Sequence, residues 1–241
     1  MHARGTHEHA AVHAVLDASP LCHVGYVIDG EAYVTPTLHW RDGNRVYWHG
    51  SAASRFLRQV PGQRVCLTVS LMDGYVLARS AFNHSVNYRS AMVFGRANVM
   101  TDPDDTAAAL RHMVDDLFPG RWNSLRPMTA QELKATSVLW MDIEEASVKT
   151  RDAAPGDPED QDHAVWAGVL PITTTIGAAQ PASGPQSGPA AAPRAGRTDR
   201  FGALALGQVR ATPNYSPARI IQSWNSRTGR DCSARGRHTN Q

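Results

Sequence analysis

"LCHVGYVIDGEAYVTPTLHWRDGNRVYWHG", residues 21–50, holds three apolar runs separated by two turns. Asp29-Gly30 joins the first two runs, and an Asp-Gly pair between strand-like segments is a strong two-residue hairpin signal. Arg41-Asp42-Gly43-Asn44 supplies the second turn. The third run, Val46-Tyr47-Trp48, ends in His49-Gly50-Ser51. Three strands in thirty residues leave no room for a crossover helix, so this stretch predicts an antiparallel sheet.

The pattern continues on both sides. Residues 6–20 predict a short helix with Thr6 as cap, Val12, Val15 and Leu16 as its apolar stripe, and Pro20 after its end. Downstream, residues 64–73 alternate Val65, Leu67, Val69 and Leu71, and Asp73-Gly74 predicts a turn into a strand at 75–82. Residues 87–100 form the longest predicted strand, with Gly95 as a candidate bulge. Asp102-Pro103 opens a helix as cap and first-turn proline; Leu110, Met113, Val114 and Leu117 are its buried face, and Pro119-Gly120 stops it. Thr129 and Glu132 have capping-box spacing for a second short helix. Residues 137–150 predict one strand, and 164–172 the last core element after an acidic loop at 152–162. Many short strands with a few small helices predict a mainly β chain closed as an antiparallel barrel, since closure removes exposed sheet edges.

Charge divides the chain. Residues 1–177 carry 15 Lys and Arg against 20 Asp and Glu, whereas 178–241 carry nine Arg, no Lys and two Asp. The second segment is rich in Ala, Gly, Pro and Ser and lacks apolar periodicity over most of its length. Such a segment cannot offset its ordering entropy by burial. The expectation is a domain over 1–177 and a disordered basic tail over 178–241, a solvated linker in preference to a nucleic-acid arm. Cys22, Cys66 and Cys232 form no CxxC pair, which argues against a zinc site or a disulfide framework. No apolar run reaches the ~20 residues a membrane helix needs, and no signal segment is evident. The cytoplasm is the expected compartment.

The chemistry concentrates at "RVYWHGSAASRFLRQV", residues 45–60. Gly50 allows close backbone approach to a ligand. Ser51 to Ser54 would present helix-start N–H groups, Ser51 and Ser54 add hydroxyls, and Arg55 adds a guanidinium matched to phosphate oxygens. A serine-capped helix with a surface arginine is the plainer alternative reading of the same residues. A second polar concentration, Asn83, His84, Asn87, Tyr88, Arg89 and Ser90, enters a core strand; it either lines a polar ligand or closes a hydrogen-bonded turn. His9 and His13 share a helix face but lack a third ligand, which favours exposed histidines over a metal pair. No carboxylate dyad or Ser-His-Asp pattern is present.

In combined order, "YVTPTLHWRDGNRVYWHGSAASRFL", "VCLTVSLMDGYVLARSAFNHSVNYRSAMVFGRA", "ELKATSV", "IEEASVK" and "VWAGVLPI" resemble the pyridoxamine 5′-phosphate oxidase-related flavin-binding split barrels, in the branch that includes nitroimidazole-resistance proteins. The resemblance spans roughly 10–176. It implies a six-stranded antiparallel split barrel that forms a homodimer with FMN across the interface. It also implies phosphate at Ser54 and Arg55, although the oxidases carry two adjacent basic residues there. The backbone of Thr35, Pro36 and Thr37 would run beside the flavin ring, with Trp48 and His49 at the strand end that meets it. Ser90 would stand where the oxidases place a glutamine, and Trp166 would approach from the last strand. The substrate-phosphate residues of the oxidases have no counterparts in this chain. The function implied is a flavoprotein that passes electrons or hydride between small molecules, the flavin supplying the redox chemistry. Two alternatives remain: a flavin carrier or sensor without turnover, and a haem-binding barrel with His23, His39, His49 or His84 as axial ligand.

Overall fold

The computed structural model describes residues 5–180, 182 and 183. The expected tail over 178–241 therefore lies almost wholly outside the described residues. In chain order the elements are β1 (Gly5–Thr6), α1 (His9–Asp17), β2 (Leu21–Ile28), β3 (Glu31–Asp42), β4 (Arg45–Ser51), α2 (Arg55–Gln59) and β5 (Arg64–Leu77). They continue as β6 (Ser85–Arg96), β7 (Asn98–Val99), α3 (Pro103–Leu117), α4 (Ala130–Ala135), β8 (Thr136–Asp142), β9 (Glu145–Arg151) and β10 (Gly168–Pro171).

The strands form one sheet in the order β1-β9-β6-β5-β2-β3-β4-β8-β7, with β10 beside the end of β5. Every pairing is antiparallel. The architecture is the mainly β split barrel that the resemblance implied, with more strands than the six expected. β1, β7 and β10 are short additions, and the single strand predicted at 137–150 divides into β8 and β9.

Local signals placed the turns and caps. Asp29 and Gly30 adopt φ of 54° and 83°, the left-handed pair that a tight hairpin turn needs. The β2–β3 register then runs unbroken from Leu21↔Leu38 to Ile28↔Glu31. Asp102 accepts from the amides of Asp104 and Asp105, with Pro103 in the first turn of α3. Thr129 and Glu132 form the full capping box of α4. The cap of α1 differs from expectation: Glu8 holds that position, and Thr6 instead pairs with Val148 in the sheet.

Long-range contacts overrode three other signals. Asp73-Gly74 does not turn the chain. β5 runs through it with a register shift between Met72 and Gly74, because Arg89 binds both oxygens of Asp73 and β10 docks along Gly74 to Leu77. Gly95 is no bulge; it pairs regularly with Val65. Its missing side chain leaves space for the Asp142 carbonyl and Met141, where β6 crosses β8. The break between β8 and β9 arises at the same crossing. Ile143 donates its amide to the Asn44 carbonyl at 2.9 Å, and Glu144 donates to the Phe94 carbonyl at 2.9 Å. Two adjacent amides thus serve two different strands, and the chain passes from one side of the barrel to the other.

Inside, Leu16, Cys22, Val24, Val46, Trp48, Leu67, Val93, Leu139 and Met141 form the main core. A second cluster of Trp40, Leu110 and Val138, with Leu38, Tyr47 and Met113, buries the inner side of α3 against β3, β4 and β8. Burying one such aliphatic side chain contributes about 2 kcal/mol.

Candidate functional site

β3 and β4 pair only from His39↔Trp48 to Asp42↔Arg45. Beyond Trp48, β4 continues along β8, through His49↔Val138, Gly50↔Ser137 and Ser51↔Thr136. β3 continues along β2 alone, with Thr35, Pro36 and Thr37 opposite Val24, His23 and Cys22. The two strands therefore diverge and leave one edge of β3 without a ladder partner over 31–38. Where they part, the Thr37 hydroxyl reaches the His49 carbonyl at 3.5 Å, and Thr35 Oγ1 bonds the Tyr26 hydroxyl at 2.9 Å.

α2 stands in the mouth of this wedge. Phe56 stacks on Tyr26, with centroids 4.6 Å apart, and Leu57 packs on Gly50 so closely that a Cβ there would lie 2.9 Å from Leu57 Cδ1. The close approach permitted by Gly50 is thus to the chain's own helix. The amides expected to face a ligand are partly engaged. Ala52 donates to the Ala135 carbonyl, Ala53 to Ser51 Oγ, and Ser54 to the Ser51 carbonyl. The Ser54 hydroxyl makes no cap hydrogen bond.

Arg55 reaches back to the β2–β3 turn, where Nη2 donates to Asp29 Oδ2 at 2.8 Å. Nε donates to Gln59 at 3.3 Å, and the guanidinium lies 5.8 Å from the Tyr33 ring centroid. Both members of the ion pair are exposed, at 53% and 79%, so water screens it and an incoming anion competes at little cost. Asp29 and Tyr33 were not foreseen as neighbours of the site. Their signal was hidden, since Asp29 already had a complete explanation as a turn residue.

Trp48 and His49 project to opposite sides of β4. Trp48 is wholly buried in the main core, and its side chain does not face the wedge. His49 is half-buried, its ring 5.9 Å from that of Trp40. Burial lowers its pKa below the ordinary histidine value, which keeps it neutral at pH 7. Its Nδ1 is buried without a hydrogen-bond partner among the described residues. Such an atom is costly to leave unsatisfied.

Thr35, Pro36, Thr37, His49, Gly50, Ser51, Ser54 and Arg55 are therefore gathered at one corner. Ser90 is not among them. It lies on β6 between Ser70 and Lys149, with β5 and β2 between it and β3. Trp166 is 61% exposed ahead of β10, its ring against Gly168. The polar run that leads into β6 and continues through its first residues is mostly self-satisfied. Asn83 bonds Ser80, Asn87 is buried against Arg151 and the Ala153 amide, and Arg89 holds Asp73. A cavity of about 490 Å³ lies elsewhere, lined by His7, His9, Phe94, Glu144 and Glu145. None of the predicted site residues lines it.

His9 and His13 stand with ring centroids 6.0 Å apart. Among the described residues no group of three or more His, Cys, Asp or Glu could hold a metal ion. No described helix is long and apolar enough to cross a membrane.

Comparison with known proteins adds to this geometry. The family model described as pyridoxamine 5′-phosphate oxidase matches residues 8–150. The solved structure of the flavocytochrome Anf3 from Azotobacter vinelandii is 45% identical, covering 79% of this chain and 89% of that one, with a TM-score of 0.73. The FAD and haem binding protein from Mycobacterium smegmatis is 35% identical, covering 77% of this chain and 92% of that one, with a TM-score of 0.73. No curated protein matches the chain.

Proposed function

The chain belongs to the pyridoxamine 5′-phosphate oxidase family, and from that premise we propose that it is a flavin-binding redox protein that also holds a haem. The observation that carries this reading is its 45% identity, over 79% of its length, to a flavocytochrome. The corner between β3, β4 and α2 supports the flavin half. An unpaired strand edge at 31–38 offers backbone groups to a flat heterocycle, and Pro36 contributes no competing N–H there. Arg55 and the Ser54 hydroxyl stand ready for a phosphate.

FMN is the nucleotide that the family resemblance implied; the M. smegmatis relative is named for FAD. Both present a phosphate and the same ring, so one seat serves either, and we assign FAD. When bound, a flavin supplies reversible one- and two-electron chemistry, which suits a small-molecule electron donor on one side and the one-electron couple of a haem on the other. This chain's part is to bind the ring, shield it from water and keep His49 uncharged beside it.

We also propose a homodimer. The outer side of β2, β3, β5 and β6 exposes Leu21 at 53%, Val27 at 51%, Val34 at 67% and Met92 at 42%. Strand register sets these residues on one face, with Pro36 between them. An apolar sheet face of that extent favours burial against a second copy, which would also cover the open edge of β3.

The test is the absorption spectrum of the purified protein, with mass spectrometry of the released cofactors and light scattering for the assembly. Flavin bands with a Soret band, an FAD mass and a dimer are expected. A colourless protein that leaves added FAD and FMN fluorescence unquenched would refute the reading, and a monomer at micromolar concentration would refute the dimer.

A further inference from the structure

We propose that the haem rests on the outer face of β5, β6 and β10, with Nε2 of His84 as its axial ligand. This rests on the flavin-and-haem reading above and adds the place and the ligand. A haem needs a flat apolar surface and an imidazole whose ring is already oriented, with its other nitrogen donating to a fixed acceptor.

Several histidines fail that requirement. His39 is wholly buried, and its two ring nitrogens face the carbonyls of Pro20 at 3.1 Å and Leu16 at 3.2 Å. His49 has its Nδ1 shut inside the fold. His23 is exposed on β2, with no hydrogen bond orienting its ring among those described. His7 does bond a carbonyl, that of Ala146 at 2.6 Å. It opens, however, on a cavity lined by Glu144 and Glu145, where carboxylates oppose the propionates of a haem.

His84 meets the requirement. Its Nδ1 lies 2.9 Å from the Ser80 carbonyl. A carbonyl only accepts, so Nδ1 carries the hydrogen and Nε2 keeps a free lone pair. The turn is held from within, because Asn83 Nδ2 donates to Ser80 Oγ at 2.9 Å.

The apolar surface adjoins it. Leu170, Tyr75 and Val86 share one row across β10, β5 and β6, and Gly168 with Leu77 forms the next row on that face. The ring of Trp166 covers Gly168, where a Cβ would meet it at 2.8 Å. Extended backbone at His84 leads directly into β6, so alternation sets His84 on the side of Val86. Tyr75, Trp166 and Leu170 are 49%, 61% and 40% exposed, and Phe82, two residues before His84, is 94% exposed. One exposed aromatic is ordinary; this many around an oriented imidazole mark a ligand surface.

The experiment titrates ferric protoporphyrin IX into haem-stripped full-length protein and follows the Soret band. It compares wild type with His84→Ala, His23→Ala, His7→Ala and Trp166→Ala, while flavin content and far-ultraviolet circular dichroism check the fold. His84→Ala should bind at least tenfold more weakly with a shifted Soret band, restored by added imidazole, at unchanged flavin content. Trp166→Ala should weaken binding with the band position kept. His23→Ala and His7→Ala should match wild type. If His84→Ala keeps the wild-type band and affinity, the ligand lies elsewhere and this inference fails while the flavin-and-haem reading stands. If Trp166→Ala leaves haem binding intact but converts a dimer to monomer, the face is a protein interface and the inference fails again. If the wild type takes up no haem, the reading beneath it fails as well.

Discussion

Gly95 of β6 faces the backbone carbonyl of Asp142 at the end of β8, with no room between them for a methyl group. The two strands cross at this point without a ladder, and the adjoining amide of Glu144 bonds the Phe94 carbonyl beside it. The contact shuts one side of the barrel, leaving the wedge between β3 and β4 as the opening on the other.

Gly95→Ala should therefore cost about 3 kcal/mol or more, the upper range for an overpacked core, because backbone and not a flexible side chain must yield. Gly156→Ala, where nothing lies within 4 Å of a new Cβ, should be close to neutral. Urea unfolding of both variants checks this; equal stabilities would mean that the crossing is looser than described.

Arg55→Ala should weaken flavin binding by about 1.5–3 kcal/mol, the range for hydrogen bonds to a charged group. Asp29→Ala should leave affinity unchanged or raise it slightly, since it releases Arg55 from a competing carboxylate. Flavin fluorescence quenching by the apo-protein reads both. Loss of affinity in the Asp29 variant alone would move the phosphate away from this arginine.

His49 gives the fold a defined acid sensitivity. Burial lowers its pKa in the folded state below the ordinary value, so the unfolded chain binds its proton first as pH falls. Its share of stability is complete above about pH 6.5 and declines as pH drops below that value. His49→Gln should flatten this part of the stability curve, seen by urea unfolding at a series of pH values from 7.5 to about 5. Parallel curves for variant and wild type would argue against a buried neutral ring.

Cys22 should be chemically silent in the folded protein. Its thiol is wholly enclosed in the main core, and burial pushes its pKa up to about 12. A variant with Cys66→Ala and Cys232→Ala retains that one thiol, and it should react with a disulfide reagent at pH 8 only after unfolding. Prompt reaction under native conditions would show that the core opens locally.

The legible parts of this protein share a scale. The turn at Asp29-Gly30, the cap of α3 at Asp102 and the capping box of Thr129 and Glu132 are each completed within four residues, so residue type and spacing sufficed. Asp73-Gly74 carried the same kind of local signal and misled, since Arg89 and β10 hold that segment straight from 16 and roughly 100 positions away. The single strand expected at 137–150 split for the same reason; its two middle amides answer to Asn44 and Phe94. At the candidate site, the grouping of Gly50, Ser51, Ser54 and Arg55 around the end of β4 was legible. The competing claim of Asp29 on Arg55, 26 residues away, was not.

The sequence by itself determined the alternation of most strands, the places where α3 and α4 begin and the chemical inventory of the corner around Arg55. Only the tertiary structure decided which strands diverge, which histidine keeps a free nitrogen and which apolar rows stay uncovered. Hydrogen bonds within a few residues can be read from neighbours in the chain, whereas burial and register depend on partners brought together by the whole fold.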